Sequence, residues 1–459
     1  MTDWRTAALR RLAEHVAPLL CADFVLRLWD GSETKMGPAA RNDLAIAIRS
    51  PAMLTRLVRR PRLTSLIEGF ATGDLAIEGG TLLDLAARAE GGRRGLLKKI
   101  DKRLAARALL PFLFGSGSAD MSHAFSGRAD AAEYGKGRDD RALMQFHYDL
   151  SNAFYEFLLD PQMAYSCGYW TQEASAEYGL ADAQRDKLDL ICRKLGLEPG
   201  MRLLDVGCGW ASLLIHAAQH YGVEAVGVTL SAEQRALGQR RVRELGLQDR
   251  VEIRLQDYRE IPDEPFDAIS SIEMGEHVGQ DNYPVYAAQL QRLLLPHGRL
   301  LLQQMSRGAS GNNTAPGGGA FMESYVAPDM FMRPLGDTLN VLEAAGLEVV
   351  DVQSLREHYV WTVRPWLDTL QDNKSEAVSL IGEEQYRVWL LYLAGAALAF
   401  EENRMGVHQM LLVRPSDDGR SGLPRSRAAT LGADPALDRL RADVSAVEPA
   451  RASVPTAGD

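Results

Sequence analysis

A glycine-rich turn and four scattered cysteines are the first places in this 459-residue chain where side-chain chemistry is expected. The cysteines, which form no CxxC pair, are Cys21, Cys167, Cys192 and Cys208. A chain of this length can bury a core without disulfides, so we expect free thiols in a reducing compartment. Cys167 lies in the stretch QMAYSCGYW, which leaves four roles open: nucleophile, metal ligand, disulfide partner or polar wall of a pocket.

The stretch MRLLDVGCGWASLL predicts a strand, a Gly-x-Gly turn and an amphipathic helix. The two glycines let the backbone approach a ligand, and the helix N-terminus offers free N–H groups. A dinucleotide site would need glycine at Ser212 and an acid at Thr229, so the pattern disfavours NAD. Asp205, just before the turn, instead suits S-adenosylmethionine, whose ammonium group needs a nearby carboxylate. A purely structural turn without a ligand stays the alternative.

Histidines are the other candidates for a metal or an acid-base role. His216 and His220 stand four residues apart on one predicted helix face, a spacing compatible with zinc, but no Asp or Glu completes a motif. His277 directly follows Glu276, and adjacent residues on one turn rarely face the same site. We therefore predict no metal site, a surface pair in the first case and a structural histidine in the second.

The composition of the chain excludes several classes of protein. The formal net charge of -10 and the sequence pI near 5.5 argue against a nucleic-acid binder. No apolar run approaches the ~18 residues that span a bilayer, and the N-terminus lacks the pattern of a signal peptide. We expect a cytoplasmic enzyme without a nucleic-acid partner.

The chain divides into regions of different composition. Residues 1–114 mix the short strand and helix patterns of a small α+β domain, and the Gly/Ser-rich residues 115–140 predict a linker. From 141 to 413, alternating helical and strand patterns predict an α/β domain with a mainly parallel sheet. A helical insertion over 360–402 separates its last two strands, and residues 414–459 have the composition of a disordered tail.

A basic amphipathic helix is predicted near the end of the first domain. Residues 93–110 carry seven Lys/Arg against one Asp, with leucine and isoleucine at helical spacing. Such a helix either lies on an anionic membrane surface or packs between domains, and both interpretations stay open.

Several stretches occur in the order and spacing of one known family. They are YDLSNAFYEFLLDPQMAYSCGYW, QRDKLDLICRKLGLEPGMRLLDVGCGWASLLIHAA, VGVTLSAEQ, QDYRE and EHVG. Over about 147–413 the chain resembles the cyclopropane fatty acid synthase family, which includes mycolic acid and other unsaturated-acyl methyltransferases. Residues 1–114 resemble the accessory domain of the members that act on phospholipids, a domain similar to sterol-carrier-like lipid domains.

This resemblance implies a class I methyltransferase fold, which is Rossmann-like with a seven-stranded, mainly parallel sheet. It also implies methyl transfer from S-adenosylmethionine to the cis double bond of an unsaturated phospholipid acyl chain at the inner face of the membrane. Besides Asp205, the cofactor residues that it implies are Tyr165 and Ser166 at the amino-acid end, Gly207 and Gly209 at the backbone, Thr229, Leu230 and Gln234 at the ribose, and Gln256 and Asp257 at the adenine.

In the family, a bound bicarbonate ion takes the proton that the methylated acyl chain must lose. The resemblance assigns its site to Cys167, Glu276, Tyr359 and the main chain of Met305. Gln303 stands where the family has a histidine, and its amide donates a hydrogen bond but does not titrate near pH 7. We therefore expect bicarbonate to be held more weakly or re-aimed, or Glu276 to take the proton directly.

Aromatic faces stabilise a carbocation on the acyl chain through cation–π attraction. The candidates are Tyr148, Tyr165, Tyr169, Trp170, Tyr359 and Trp361. The helical insertion is expected to wall the acyl tunnel with Trp366, Leu370, Trp389, Leu393 and Leu398.

Two further departures from the family concern the product. Glu273 stands where the family usually has glycine, and Gly275 where it usually has phenylalanine. Proton loss from the bridging methyl gives a cyclopropane, whereas a prior hydride shift gives a methylene branch, as in relatives that begin 10-methyl-branched fatty acid synthesis. The ending GVHQMLLVRP is more similar to the methylene-forming relatives, which favours that product.

The resemblance implies partners as well. We expect a homodimer and, for a methylene product, a downstream reductase. Two other functions stay open: a methyltransferase for a soluble small molecule, which would not need a lipid-binding N-terminal domain, and a non-catalytic lipid-binding protein, which would not bind the cofactor.

Overall fold

The structure is a computed structural model that describes residues 4–89, 99–114, 150–308 and 319–431. Three predictions lie outside the described residues: the linker 115–140, the first part of the basic helix (93–98) and residues 432–459 of the tail. Within the described ranges no helix is long and apolar enough to cross a membrane.

The N-terminal domain packs helices against a four-stranded sheet with the strand order β2-β1-β3-β4. Its elements are α1 (Trp4–Leu20), β1 (Val25–Arg27), β2 (Glu33–Lys35), β3 (Ala45–Ile48), α2 (Pro51–Arg59), α3 (Leu63–Ala71), β4 (Leu75–Glu78), α4 (Leu82–Arg88) and α5 (Lys102–Leu109). Strands β1 and β3 are parallel, and the other pairs are antiparallel. Fully and partly buried residues alternate along β3, so one face of the small sheet is covered.

Helices in this domain begin where the sequence carries capping signals. Ser50 precedes α2, and its hydroxyl accepts a hydrogen bond from the N–H of Ala52. Thr81 and Asp84 form a reciprocal capping box at the start of α4. These local bonds satisfy N–H groups that a helix leaves unpaired at its first turn.

The described part of the basic helix is α5, and it packs against α1. Asp101 caps α5 by accepting from the N–H groups of Arg103 and Leu104, and its own N–H donates to His15 Nε2 at 3.1 Å. Ala108 is buried, whereas the basic side chains of α5 are exposed. The apolar side of the helix is therefore used inside the domain, and its cations face solvent.

The second domain is built on a seven-stranded sheet with the order β10-β11-β9-β8-β5-β6-β7. Its strands are β5 (Arg202–Val206), β6 (Glu224–Thr229), β7 (Val251–Leu255), β8 (Phe266–Ile272), β9 (Leu294–Arg307), β10 (Glu348–Ser354) and β11 (Met405–Val413). Strands β5 to β9 pair in parallel, and β11 runs antiparallel to both β9 and β10. The predicted α/β fold with a mainly parallel sheet is confirmed.

Helices cover both faces of this sheet. They are α6 (Asn152–Leu158), α7 (Leu180–Leu195), α8 (Ser212–Tyr221), α9 (Ala232–Glu244), α10 (Tyr283–Leu293), α11 (Ala320–Tyr325), α12 (Leu335–Ala344), α13 (Arg356–Asp372), α14 (Lys374–Glu401) and α15 (Arg427–Leu431). One apolar cluster packs α7 and α8 on one face, and a second packs α10 and α12 on the other. The strand order reverses beside β5, so β5 and β8 leave a crevice at their carboxyl ends, where ligands of such sheets bind.

Helices α13 and α14 form the insertion between β10 and β11, and they pack against each other over much of their length. The prediction placed the insertion at 360–402, and the first of its helices begins four residues earlier, at Arg356. Helix α3 of the N-terminal domain packs against α14, and Tyr325 donates to Glu68 of α3 at 3.1 Å. The insertion thus joins the two domains.

Residues 414–431 are placed differently from the predicted disordered tail. Thr430 is buried, its carbonyl accepts from Arg299 at 3.0 Å, and Arg427 pairs with Asp351. These contacts dock the chain after β11 onto the edge of the sheet, although its composition offers little apolar surface.

Candidate active site

A cavity opens at the carboxyl ends of β5 to β8. All ten residues predicted for the cofactor line it: Tyr165, Ser166, Asp205, Gly207, Gly209, Thr229, Leu230, Gln234, Gln256 and Asp257. We call this the cofactor cavity. It lies at the crevice where the strand order reverses, which is where the topology predicts a ligand.

The glycine turn shapes the floor of the cofactor cavity. Gly207 and Gly209 have φ angles of 82° and 53°, in the left-handed region that glycine adopts without strain. A Cβ on Gly207 would lie 2.8 Å from the Met274 side chain, whereas a Cβ on Gly209 would meet no protein atom within 4 Å. Cys208 turns away and packs against Gly227 of β6, as expected for a small packing residue. The turn leaves ligand-sized space beside its backbone.

Asp205, the penultimate residue of β5, is a buried carboxylate at the wall of the cavity. Burial raises its pKa to about 6, although the Ser270 hydroxyl donates to it at 2.7 Å and the nearby Lys187 favours its charged form. A buried carboxylate with only one hydrogen bond among the described residues suits a cationic partner. This carboxylate, as a hydrogen-bond acceptor, fits the ammonium end of S-adenosylmethionine.

The remaining cavity residues are held by bonds within the protein. Thr229 donates to the Gln234 side chain at 2.9 Å, and the Gln256 amide donates to the Glu260 carbonyl at 3.0 Å. Asp257 caps the short helical turn that follows β7 and pairs with Arg259. The side chains at the ends of β6 and β7 are thus positioned before any ligand binds.

A second site adjoins the cofactor cavity, and we call it the carboxylate pocket: Cys167, Glu273, Gln303 and Tyr359. The Cys167 N–H and the Gln303 amide each donate to Glu273 Oε1 at 2.8 Å, and the Tyr359 hydroxyl donates to Oε2 at 2.5 Å. Of the residues predicted at the bicarbonate site, Cys167, Gln303 and Tyr359 therefore hold a carboxylate of the chain itself.

Glu273 is the site residue that the sequence interpretation missed as a ligand. It follows β8 with a φ of 51°, a left-handed conformation that is uncommon for residues other than glycine. Its N–H donates to the Gln303 carbonyl. The sequence offered one signal, which is an acid at a position where the resembling family usually has glycine. Glycine at that position indicates a left-handed backbone, and Glu273 adopts the same conformation.

The Gln303 amide is oriented by a buried chain of side chains. Lys194 has only donor hydrogens, and its Nζ donates to the oxygens of Gln353 and Gln409 at 2.6 and 2.8 Å. The Gln409 amide must then donate to Gln303 Oε1, which it does at 2.9 Å. Gln303 therefore presents its NH₂ group to Glu273.

Glu276 lies beside the carboxylate pocket on the short helical turn after β8. It is fully buried, and neither carboxyl oxygen has a hydrogen-bond partner within the part of the chain that is described. Burial raises its pKa to about 8, and the charge of Glu273 adds to the rise. Met305, on β9, is buried in the same region.

The thiol of Cys167 faces away from Glu273. Its Sγ lies within donor distance of the Gly168 and Leu355 carbonyls, at 3.3 and 3.6 Å, and burial raises its pKa well above the ordinary range. A buried, protonated thiol is a poor nucleophile. Cys167 contributes its main-chain N–H to the pocket.

A buried aromatic cluster adjoins both sites through Tyr165 and Tyr359. Its members include Phe154, Tyr155, Tyr325, Tyr359, Trp366, Tyr386, Trp389 and Phe400. Of the predicted aromatic candidates, Tyr169 and Tyr359 belong to the cluster and Tyr165 packs against it, with its hydroxyl 3.0 Å from that of Tyr392. Of the predicted tunnel residues Trp366, Leu370, Trp389, Leu393 and Leu398, all but Leu398 belong to this buried cluster.

The other aromatic candidates lie elsewhere. Trp170 belongs to a separate cluster, Trp361 is half exposed, and Tyr148 lies outside the described residues. Within the aromatic cluster, Tyr169 stacks on His358. His277 is 2.8 Å from Asp329. No group of three metal-ligating side chains occurs among the described residues.

Comparison with known proteins agrees with this geometry. A profile of the family described as mycolic acid cyclopropane synthetase matches residues 136–410. A probable fatty acid methyltransferase of Pseudomonas putida is 35% identical over 404 residues, which are 88% of this chain and 94% of the relative. The cyclopropane-fatty-acyl-phospholipid synthase of Escherichia coli K12 is 35% identical over 273 residues, 60% of this chain and 68% of that protein.

Solved structures give the same answer for the fold. The crystal structure of mycolic acid cyclopropane synthase CmaA1 complexed with SAH and CTAB is 33% identical, covers 61% of this chain and 99% of that one, and has a TM-score of 0.56. The predicted class I methyltransferase fold is thereby confirmed. The chain belongs to the mycolic acid cyclopropane synthetase family and is an S-adenosylmethionine-dependent C-methyltransferase.

Proposed function

We propose that this protein methylates the cis double bond of an unsaturated acyl chain in a membrane phospholipid, giving a 10-methylene or a cyclopropane fatty acid. The observation that carries the proposal is the buried aromatic cluster, which adjoins the cofactor cavity at Tyr165 and the buried carboxylate of Glu273 at Tyr359. An alkene needs such a dry, apolar site, and a proton acceptor must lie close to it.

The chain's own residues hold, orient and shield the reactants. The residues of the cofactor cavity hold S-adenosylmethionine, which when bound supplies an electrophilic methyl group. The buried side chains of Trp366 and Trp389 exclude water from the aromatic cluster. The ring faces of Tyr165 and Tyr359 stabilise positive charge on the acyl chain. The proton acceptors that the family resemblance suggests are bicarbonate and Glu276.

A surface patch on the N-terminal domain favours a substrate in a lipid bilayer. Leu63 and Leu66 on α3, together with Leu110 and Phe114, are exposed large apolar side chains. Arg59 joins the two segments, because its Nε donates to the carbonyl of residue 113 at 3.0 Å. Apolar side chains with cations around them bind anionic membrane surfaces.

The position of α3 connects this patch with the aromatic cluster. An adjacent face of α3 carries Ile67 and Ala71, which belong to that buried cluster. One short helix therefore has its exposed leucines on the surface and its buried side chains against the insertion. We propose that the protein works at the inner face of the membrane, as a homodimer, and that a reductase consumes a methylene product.

The experiment combines the protein with isotope-labelled cofactor and dioleoyl phosphatidylglycerol vesicles, followed by mass spectrometry of the released fatty acids. We expect a labelled methylene or cyclopropane acid. Free oleate or a soluble acceptor as the preferred substrate, or no transfer despite cofactor binding, would contradict the proposal. Leu63→Asp with Leu66→Asp should weaken vesicle binding at least tenfold and leave cofactor affinity unchanged; Leu245→Asp is the control for another exposed leucine.

A further inference from the structure

We propose that the Glu273 carboxylate is the proton acceptor of this reaction and takes the place of a free bicarbonate ion. The inference rests on the proposed function. Three donors converge on this side chain: the Cys167 N–H, the Gln303 amide and the Tyr359 hydroxyl, at 2.8, 2.8 and 2.5 Å. These are groups that the sequence resemblance assigned to an external anion, and here they are already used.

The backbone of Glu273 indicates that this arrangement is built in. A left-handed conformation is unfavourable for a residue other than glycine, and such strain concentrates at functional sites. With a φ of 51°, Glu273 adopts this conformation at the end of β8. The surrounding structure holds the residue there, and its side chain reaches all three donors.

The carboxylate keeps one position from which it can accept a proton. A carboxylate offers about four lone-pair sites, and Oε1 accepts two of the three bonds while Oε2 accepts one. Glu273 also lines the cofactor cavity, from which the methyl group is delivered. One site on Oε2 is therefore left to accept a proton.

Charge favours Glu273 over Glu276 as the acceptor. Two buried carboxyl groups this close do not both ionise readily, and the one with more donors keeps the charge. Glu273 has three donors and is further favoured by Lys187, although burial raises its pKa. Glu276 has no partner among the described residues for its carboxyl oxygens, and its pKa is about 8.

The proton step balances without an external base. After methyl transfer, a C–H bond of the acyl cation breaks and its proton goes to Glu273. The electron pair of that bond closes the third side of a cyclopropane, or forms the methylene double bond when a hydride has shifted first. Glu273 becomes a neutral acid and returns the proton to solvent before the next turnover.

Two variants test the inference. Glu273→Gln keeps the volume and removes the base, and we expect turnover to fall at least 100-fold with cofactor affinity unchanged. Glu273→Gly opens the pocket at a backbone position that suits glycine, so the protein should fold. We expect bicarbonate to bind this variant in calorimetric titration but not the wild type, and to restore part of its turnover. Glu357→Gln, which changes an exposed carboxylate two residues before Tyr359, should change none of these quantities.

Several outcomes would overturn the inference. Wild-type turnover that falls when bicarbonate is removed, bicarbonate binding to the wild type, or Glu273→Gln with normal turnover would each do so. The bicarbonate titrations of wild type and Glu273→Gly need no phospholipid. They therefore decide whether Glu273 occupies the anion site even where no transfer to phospholipid is found, which would reject the proposed function instead.

Discussion

The cofactor cavity and the carboxylate pocket are neighbours that share Glu273, yet they are built in different ways. Strand ends and a glycine turn form the cavity, so much of its shape is set by the backbone. The pocket is formed by groups from four distant segments, namely three side chains and the main-chain N–H of Cys167. The difference teaches that backbone geometry shapes the cofactor cavity, whereas single side chains determine the carboxylate pocket.

A change in the glycine turn of the cofactor cavity should give the largest loss of cofactor affinity. Gly207→Ala places a methyl group 2.8 Å from Met274 in a left-handed conformation, so the turn must distort. We expect cofactor affinity to fall at least tenfold, about 1.4 kcal/mol or more, measured by calorimetric titration. Gly200→Ala is the matched control, because Gly200 has a φ of 84° with no atom near its Cβ position. Equal losses in both variants would attribute the effect to backbone strain alone.

The pocket can be tested through its unpaired acid. With a pKa of about 8, Glu276 is neutral in the folded protein but ionised in the unfolded chain above about pH 4.3. Wild-type stability should therefore decrease as pH rises from about 4 to about 8. Glu276→Gln removes this dependence and should stabilise the protein at pH 8 by on the order of 4 kcal/mol.

Thermal unfolding of both proteins between pH 5 and 8 measures this prediction, with Glu357→Gln as the exposed control. Identical pH profiles for wild type and Glu276→Gln would mean that Glu276 is ionised in the folded protein. That result would return Glu276 to the role of direct base.

The smallest effect is expected from the chain of side chains that orients Gln303. Lys194→Met keeps the buried volume but removes the donor that fixes the Gln409 amide. Loss of that donor lets the Gln303 amide rotate and weakens its hydrogen bond to Glu273 by about 1 kcal/mol, so turnover should fall about fivefold with KM unchanged. Arg193→Met on the same helix, whose side chain pairs with Asp189 outside the pocket, is the control. A higher KM with normal turnover would contradict an orienting role.

Much of the fold could be predicted because its signals are local. The apolar runs EAVGVT, VEIRL and FDAISSI form β6, β7 and β8, and each belongs to the alternating pattern from which the α/β domain was predicted. The docked segment 414–431 was missed because its contacts, such as Arg427 with Asp351, join distant residues.

The same reason explains what the sequence missed in the site. Residues of the cofactor cavity follow strand ends, which periodicity locates. Glu273 meets its partners Cys167, Gln303 and Tyr359 across 106, 30 and 86 residues of chain. A departure from the family could be seen at this position, but only the folded chain places its carboxylate among those donors.

The left-handed backbone at Glu273 also has an evolutionary consequence. Because glycine suits that conformation at least as well, exchange of the two residues leaves the chain path intact. Codons for glutamate and glycine differ at one nucleotide when their third bases match. Under the proposed mechanism, a single transition therefore separates a chain that carries its own base from one that depends on bicarbonate.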